Sequence, residues 1–430
     1  MASAVDSASR HTLPARSPGL ALAVLLGLVL VLQFSPLVGL VGFRLSQDAN
    51  WTLLGAGRDV GVVLLLALAA MAWVDGRTRH PVPAAVRWAL LMVLAYVVLA
   101  LLNGSGLVLT ALNLRRLVLV PLLFVAVWLL PWRPEDIDRV FRWIVATSVL
   151  VALFGFIELI VSEPLWLDAL DIEGFNAANT LDRFGYLPFA ESGRFFTTDL
   201  EFVIGRPMRR MVSTYLEPTT LAAAMAVLLV VALARRARGH AGMGLVLLAV
   251  VAGLATLSKG FAIFLLALMA WRAVGWPAPR HVLTVVLAGC LLGALARGFH
   301  LEGPLEHLDG LSTALQYLVQ GRLLGEGIGA AGNLSDLGNE VGEESGLGNV
   351  IGQVGWVAFL SLLWLRALAI DLHQTATLRR DEGGAWIAAW LMFWTITYLF
   401  SASSLGVGGN ALGFIVLALY LHPASGRVPA

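Results

Sequence analysis

The run Gly19–Phe43, GLALAVLLGLVLVLQFSPLVGLVGF, contains no Asp, Glu, Lys or Arg. A bilayer's hydrocarbon core needs roughly 20 consecutive apolar residues in helical form to cross it, and this run is long enough. Arg10, His11 and Arg16 precede it, as bases precede the apolar core of a secretory signal. The run nevertheless continues past Phe34 without an Ala-x-Ala-like cleavage site, so it reads as a retained first span.

The rest of the chain repeats the pattern. Of 430 residues, 58% are hydrophobic and 13% charged. That is about half the usual charged fraction, and the mean hydropathy is +0.81. About twelve apolar runs approach spanning length, near 19–43, 52–74, 86–107, 112–130, 138–161, 217–234, 242–257, 260–275, 281–297, 346–368, 385–402 and 405–421. The expected fold is an all-α integral membrane bundle, a single domain over residues 1–430. A net charge of +1 gives no clustered excess of base for nucleic-acid binding. Cys290 is the single cysteine, which excludes an intrachain disulfide and a Cys/His metal set. No cofactor or metal is expected.

Basic residues set the orientation. Arg77, Arg79 and Arg87, then Arg133, Arg139 and Arg142, then Arg235, Arg236 and Arg238, then Arg272 and Arg280, and finally Arg379 and Arg380 fall in short connections on the side of the basic N-terminus. The excess of Lys and Arg in cytoplasmic loops then puts both termini in the cytoplasm. Two connections on the opposite face are long, 162–216 and 298–345. Long connections in helical bundles tend to carry function.

The first of these loops is dense in aromatics, among them Trp166, Phe175, Phe184, Tyr186, Phe189, Phe195 and Phe196. Such side chains suit a lipid interface or stacking on sugar rings. Its pairs Asp171/Glu173 and Asp199/Glu201 have a spacing that can hold a divalent ion, and equally read as solvated carboxylates. In the second loop, Leu305, Leu308, Leu311, Leu315 and Leu318 recur at three- and four-residue steps, which predicts an amphipathic helix on the outer leaflet. The glycine-rich stretch Gln320–Gly355 follows, QGRLLGEGIGAAGNLSDLGNEVGEESGLGNVIGQVG, and is expected to form one wall of an external site. Gly327-Ile-Gly329-Ala-Ala-Gly332 formally matches a dinucleotide fingerprint, but no strand precedes it.

Arg115, Arg116, Arg209, Arg210 and Lys259 lie at the outer ends of spans, where the positive-inside bias does not put bases. Snorkelling to lipid head groups is one account of them. Compensation by an anionic ligand is the other: Arg210, Lys259 and Arg322 together suit a pyrophosphate, because guanidinium forks match phosphate oxygens and an ammonium supplies point charge.

These features resemble the O-antigen ligase and Wzy-type polysaccharide polymerase superfamily, whose members share a similar number of spans and a large external loop between spans nine and ten. The family's Arg-x-x-Gly-Thr-x-x-x-Pro-Asn pattern reads here Arg210-Met-Val-Ser213-Thr214-Tyr-Leu-Glu217-Pro218-Thr219. Its Ser-Arg-Gly hairpin tip reads Ser258-Lys259-Gly260, and its Gly-x-Gly segment reads Gly325-Glu-Gly327 and Gly327-Ile-Gly329. Its His-Asn pair, set at a fixed interval before a glycine, reads Glu344-Ser345 before Gly355. The ordered motifs span Arg210 to Phe359. Lys259 replaces Arg, Ser213 and Thr219 replace Gly and Asn, and Glu344 stands where many members carry His.

The resemblance implies a GT-C-like bundle in a bacterial inner membrane. Its activity would be inverting, metal-independent transfer of an undecaprenyl-pyrophosphate-linked glycan on the periplasmic or extracellular side. The partners implied are that donor, a glycan acceptor, the bilayer and, as a candidate, a chain-length regulator. Glu344 is the expected base, since a partly desolvated carboxylate can accept the hydroxyl proton; Glu343 and His307 stand behind it. Arg210, Lys259 and Arg322 would meet the leaving group. Arg115, Arg116, Arg209 and Glu217 complete the set expected around the substrate. Alternatives are ligase-type transfer to a lipid or protein acceptor, a polysaccharide or lipid transporter, and a different lipid-linked glycosyltransferase using Asp48.

Overall fold

In a computed structural model the described residues are 19–46, 56–77, 80–104, 106–178, 188–199, 201–274, 306–330 and 345–427. The first five helices are α1 (Gly19–Ser46), α2 (Ala56–Val74), α3 (Ala84–Leu102), α4 (Leu107–Leu129) and α5 (Pro134–Val161). Short helices α6 (Ile172–Ala178) and α7 (Glu201–Ile204) lie in the first long connection, followed by α8 (Pro218–Ala237), α9 (Met243–Ala255) and α10 (Lys259–Val274). After the second connection come α11 (Glu306–Val319), α12 (Gly346–Val354), α13 (Phe359–Arg379), α14 (Glu382–Phe400) and α15 (Val407–Leu421).

Among the described residues, seven helices are long and apolar enough to cross a membrane: α1 to α5, α8, and the continuous stretch Gly346–Arg379 formed by α12 and α13. The protein is therefore an all-α, multi-pass membrane protein. Helices α9 and α15, expected as full spans, are apolar but shorter. The span expected near 281–297 lies outside the described residues.

Helix α15 explains how a short helix can sit in such a bundle. All fifteen of its residues are buried, so protein surrounds it and its length need not match the bilayer. It packs on α4 and α8. A helix this enclosed requires close neighbours. A side chain at Gly413 would overlap the Trp390 ring of α14.

The arginines of the short connections tie helix ends together at one face. Arg235 of α8 reaches Asp138 of α5 at 2.9 Å, and Arg238 pairs with Asp381, which caps α14 by accepting from the Gly383 N–H. Arg379 donates to the carbonyl of Tyr420 at 2.6 Å and lies over its ring. Beside it, burial lowers the His422 imidazole to about 4. Its Nδ1 accepts from the Ala424 N–H, so the neutral ring is the one built into the fold.

Polar side chains also bind α1 to α5 inside the bundle. The fully buried Gln33 donates to Thr147 Oγ1 at 2.6 Å and accepts from Ser148 at 3.1 Å. Such contacts hold helices together where apolar burial cannot distinguish protein from lipid.

Two outcomes check this packing. Gly413→Ala forces a methyl into the Trp390 ring and is expected to cost about 1–3 kcal/mol, read as a lower melting temperature of the purified protein in detergent. For His422, the folded pKa lies below the unfolded one, so the unfolded chain takes up the proton first. Stability should therefore fall as pH is lowered from about 6.5 toward about 4, and His422→Asn should flatten that part of the melting-temperature profile.

Candidate functional site

The 162–217 connection is anchored by one buried carboxylate. Glu158, near the end of α5, is 0% exposed. Its Oε1 accepts from the backbone N–H of Val212 at 2.7 Å and of Ser213 at 3.2 Å. Its Oε2 accepts from the Trp166 indole at 2.6 Å and from Arg209 at 3.2 Å. The Arg209 guanidinium also donates to the carbonyls of Phe195 and Arg210, and it lies 4.9–5.6 Å from the rings of Phe189, Phe195 and Phe196. Burial pulls this guanidinium below its ordinary pKa while Glu158 opposes the shift.

Arg209, expected near substrate, is thus a tether between loop and helix. The aromatics of the loop are likewise internal. Trp166, Phe175, Phe189 and Phe195 are buried with Leu40, Phe43 and Val212 in a small core of their own, neither facing lipid nor open to sugars. Phe184 and Tyr186 lie outside the described residues. Three of the four carboxylates of the acidic pairs are engaged in the same framework. Asp171 accepts from the Gly174 N–H and Glu173 from the Phe189 N–H, and Asp199 pairs with Lys259 at 2.8 Å.

The consequence of the Glu158 anchor is felt one turn further on. Ser213–Tyr215 form a 3-10 turn, with Ser213 donating to the Val151 carbonyl and Thr214 to the Gln33 carbonyl, both at 2.6 Å. Gln33 and Val151 are mid-helix residues of α1 and α5, so the turn dips into the bundle and α8 begins there. Glu217 caps that helix, its Oε1 accepting from Thr219 Oγ1 at 3.0 Å, and Pro218 occupies the first helical position, where its missing N–H costs nothing.

A cleft of about 450 Å³ opens beside this helix start. Arg58, Arg115, Arg116 and Asn113 line one side; Glu217, Thr219 and Thr220 come from the start of α8, Gly406 and Val407 from the start of α15, and Asn349 and Gln353 from α12. Arg115 is held by Asp59 at 3.0 Å. Arg116, exposed to the cleft, has no ion-pair partner among the described residues. Three guanidiniums against Glu217 and the Asp59 paired with Arg115 leave the lining cationic. The N–H groups at two helix starts add to that field.

The expected bases Arg210 and Lys259, and the unexpected Arg194, are arranged around it. Arg194 lies 3.7 Å from the outer oxygen of Glu217. Arg210 donates to the carbonyls of Gly193 at 2.8 Å and Thr256 at 3.1 Å. Burial lowers its pKa, opposed by the charges of Glu217 and Asp199. The hydrogen bond from Lys259 holds the Asp199 carboxyl below its usual value. Charges therefore alternate outward from the cleft, through Glu217, Arg210 and Asp199 to Lys259. Arg322 stands apart from it: it pairs with Glu326 and lies over the Tyr317 ring.

The glycine-rich stretch forms the back of the amide wall. Glu326 and Gly327 donate their N–H groups to the carbonyls of Gly352 and Gln353, and Ile328 donates to Asn103 at 3.1 Å. The stretch thus clasps the end of α12 to the junction of α3 and α4. Gly327 has φ +106°, and a side chain there would meet the Asn103 carbonyl. Among the described residues, Gly325, Gly327, Gly329 and Gly355 serve close backbone approach. Helix α11 forms as expected; its Leu311 and Leu318 are buried and it packs on α12 and α14, so protein covers that face. Glu343 and Glu344 lie outside the described residues, as does the side chain of His307 on α11.

Of the expected set, the structure brings Arg115, Arg116 and Glu217 into one cleft, with Arg210 and Lys259 extending from it. Sequence reading missed Arg58, Asn113, Asn349, Gln353 and the anchor Glu158. A signal for Arg58 existed: Arg58-Asp59 interrupts the head of an apolar run, where ionisable groups are costly. Asn349 and Gln353 are spaced i, i+4 in an otherwise apolar helix. Compared with known proteins, the chain matches no family model and no curated protein.

Removing the anchor tests this account. Glu158→Ala leaves Arg209 buried without its partner, a loss of about 3–5 kcal/mol. Limited trypsin digestion should then cut after Arg209 and Arg210 faster than in the wild type; an unchanged cleavage rate would contradict the tether.

Proposed function

We propose that the protein is an envelope glycan polymerase of the O-antigen or exopolysaccharide type, joining lipid-pyrophosphate-linked oligosaccharides at the cleft. The observation that carries this reading is the cleft's two-sided chemistry. Arg58 and Arg116 offer charge and forked donors to a phosphate group, with Arg115 held beside them by Asp59, while Asn349, Thr219 and Thr220 offer neutral hydrogen-bonding partners of the kind that sugars use. Two helix starts aimed at the same space favour an anion further. The ordered motifs from Arg210 to Phe359 support the same assignment, as does the position of Glu217 within both the motif and the cleft lining.

On this reading the donor's pyrophosphate meets the arginines and an acceptor hydroxyl attacks the anomeric carbon with inversion. Positive charge placed where the leaving oxygen gains negative charge lowers the barrier. A carboxylate takes the hydroxyl proton: Glu344 by the motif pattern, or Glu217, the carboxylate that lines the cleft among the described residues. The site would open on the periplasmic or extracellular side of a bacterial inner membrane, opposite the face where the arginines tie helix ends together.

A second reading has its own observation. Helices that start inside the bundle, as α8 does, and breaks such as the one between α12 and α13 at Gly355 also occur in transporters, with half-helix N-termini facing anionic cargo. One experiment separates the two. Purified protein in liposomes with a lipid-pyrophosphate oligosaccharide is expected to yield a ladder of products, and Arg116→Ala to weaken donor use about tenfold or more. A single transfer to an added acceptor indicates a ligase. Vectorial movement of the oligosaccharide without new glycosidic bonds would replace the enzymatic assignment by transport.

A further inference from the structure

The amide wall of the cleft has a polarity that can be deduced. The Gly329 N–H lies 3.2 Å from Gln353 Oε1. A backbone N–H can only donate, so the side-chain atom of Gln353 facing it must be the carbonyl oxygen. The amide nitrogen of Gln353 must then face the other way, where it meets Asn349 at 2.6 Å. That nitrogen also only donates, so Asn349 presents its oxygen to Gln353 and its own NH2 group elsewhere. Asn349 is 7% exposed and lines the cleft. Among the described residues its NH2 group has no hydrogen-bond partner. The Gly329 N–H at the far end of this relay fixes the orientation of both amides.

We infer that Asn349 is a specificity-determining donor of the cleft: its NH2 group selects a ligand carrying an acceptor oxygen beside the anionic group, and Gln353 is the positioning residue that transmits this polarity from the Gly329 N–H. The inference rests on the reading of the cleft as a site for a pyrophosphate-linked glycan. The acceptor oxygen belongs either to the pyrophosphate or to the adjoining sugar.

The relay can be reversed without changing Asn349 itself. In Gln353→Glu the carboxylate still accepts from the Gly329 N–H, and it also accepts from the Asn349 NH2 group, so both hydrogen bonds survive. Asn349 must then turn its oxygen to the cleft and repel an acceptor. Gln353→Met, with no change of charge, frees Asn349 to rotate. Binding of two probes to the detergent-purified full chain reads the effect: inorganic pyrophosphate, and a short-chain polyprenyl-pyrophosphate disaccharide. Gln353→Glu is expected to weaken binding about tenfold or more, while the melting temperature reads separately any stability lost to its buried carboxylate, with Gln353→Met between it and the wild type in binding. Equal weakening for both probes assigns the acceptor to the pyrophosphate, and weakening for the disaccharide probe alone assigns it to the sugar. In an Asn349→Leu background the Gln353→Glu effect should vanish. An effect that persists there arises from the added charge, and it overturns the relay, as does wild-type binding by Gln353→Glu. A wild-type protein that binds neither probe overturns the underlying reading of the cleft instead, and the ligand class assigned to Asn349 falls with it.

Discussion

A carboxylate with no exposed surface sits near the end of α5, and the connection that follows it is arranged to satisfy it. An unpaired buried charge costs several kcal/mol, so Glu158 must collect donors. It takes them from Trp166, Arg209, Val212 and Ser213, which come from both ends of the long connection. The connection is thereby folded back on itself, its aromatics close into a small core, and the turn at Ser213–Tyr215 is drawn into the bundle. Because α8 starts where that turn ends, the depth of Glu217 and of the cleft floor follows from the same set of hydrogen bonds.

The second constraint acts from the other side of the cleft. Backbone groups inside a membrane bundle need partners within the protein, and α12 ends abruptly at Gly355. The glycine-rich clasp supplies those partners, with Trp356 donating to the Leu323 carbonyl and the N–H groups of Glu326 and Gly327 meeting the end of α12. Close approach of two backbones requires residues without side chains, which is why the stretch looks like a phosphate loop in sequence and works as a brace in space. The brace also orders the amides of Gln353 and Asn349, so a structural contact determines the chemistry facing the cleft.

The helices were legible because an apolar run of spanning length leaves few alternatives for the backbone. Expected boundaries for α1 to α5, α8 and α14 agree with the structure to within about five residues, the largest shifts being at the end of α3 and the start of α4. Pairing was not legible. Arg209 and Arg210 are adjacent and of one type, yet the first is consumed by Glu158 and three phenylalanine rings while the second faces Glu217 and Asp199. Arg115 and Arg116 divide in the same way, one held by Asp59 and the other turned to the cleft. Arg322 looked equivalent to both and is paired locally with Glu326.

By itself the sequence determined that the chain is an all-α membrane protein with polar segments gathered between its apolar runs, since hydrophobicity is a property of each residue and accumulates along the chain. Which charges are paired and which line the cleft was decided by the tertiary structure. Glu158 and Arg209 are 51 positions apart, and Asp59 and Arg115 are 56 apart. Coulomb and hydrogen-bond energies depend on distances of a few ångströms, and those distances exist only once the helices have packed.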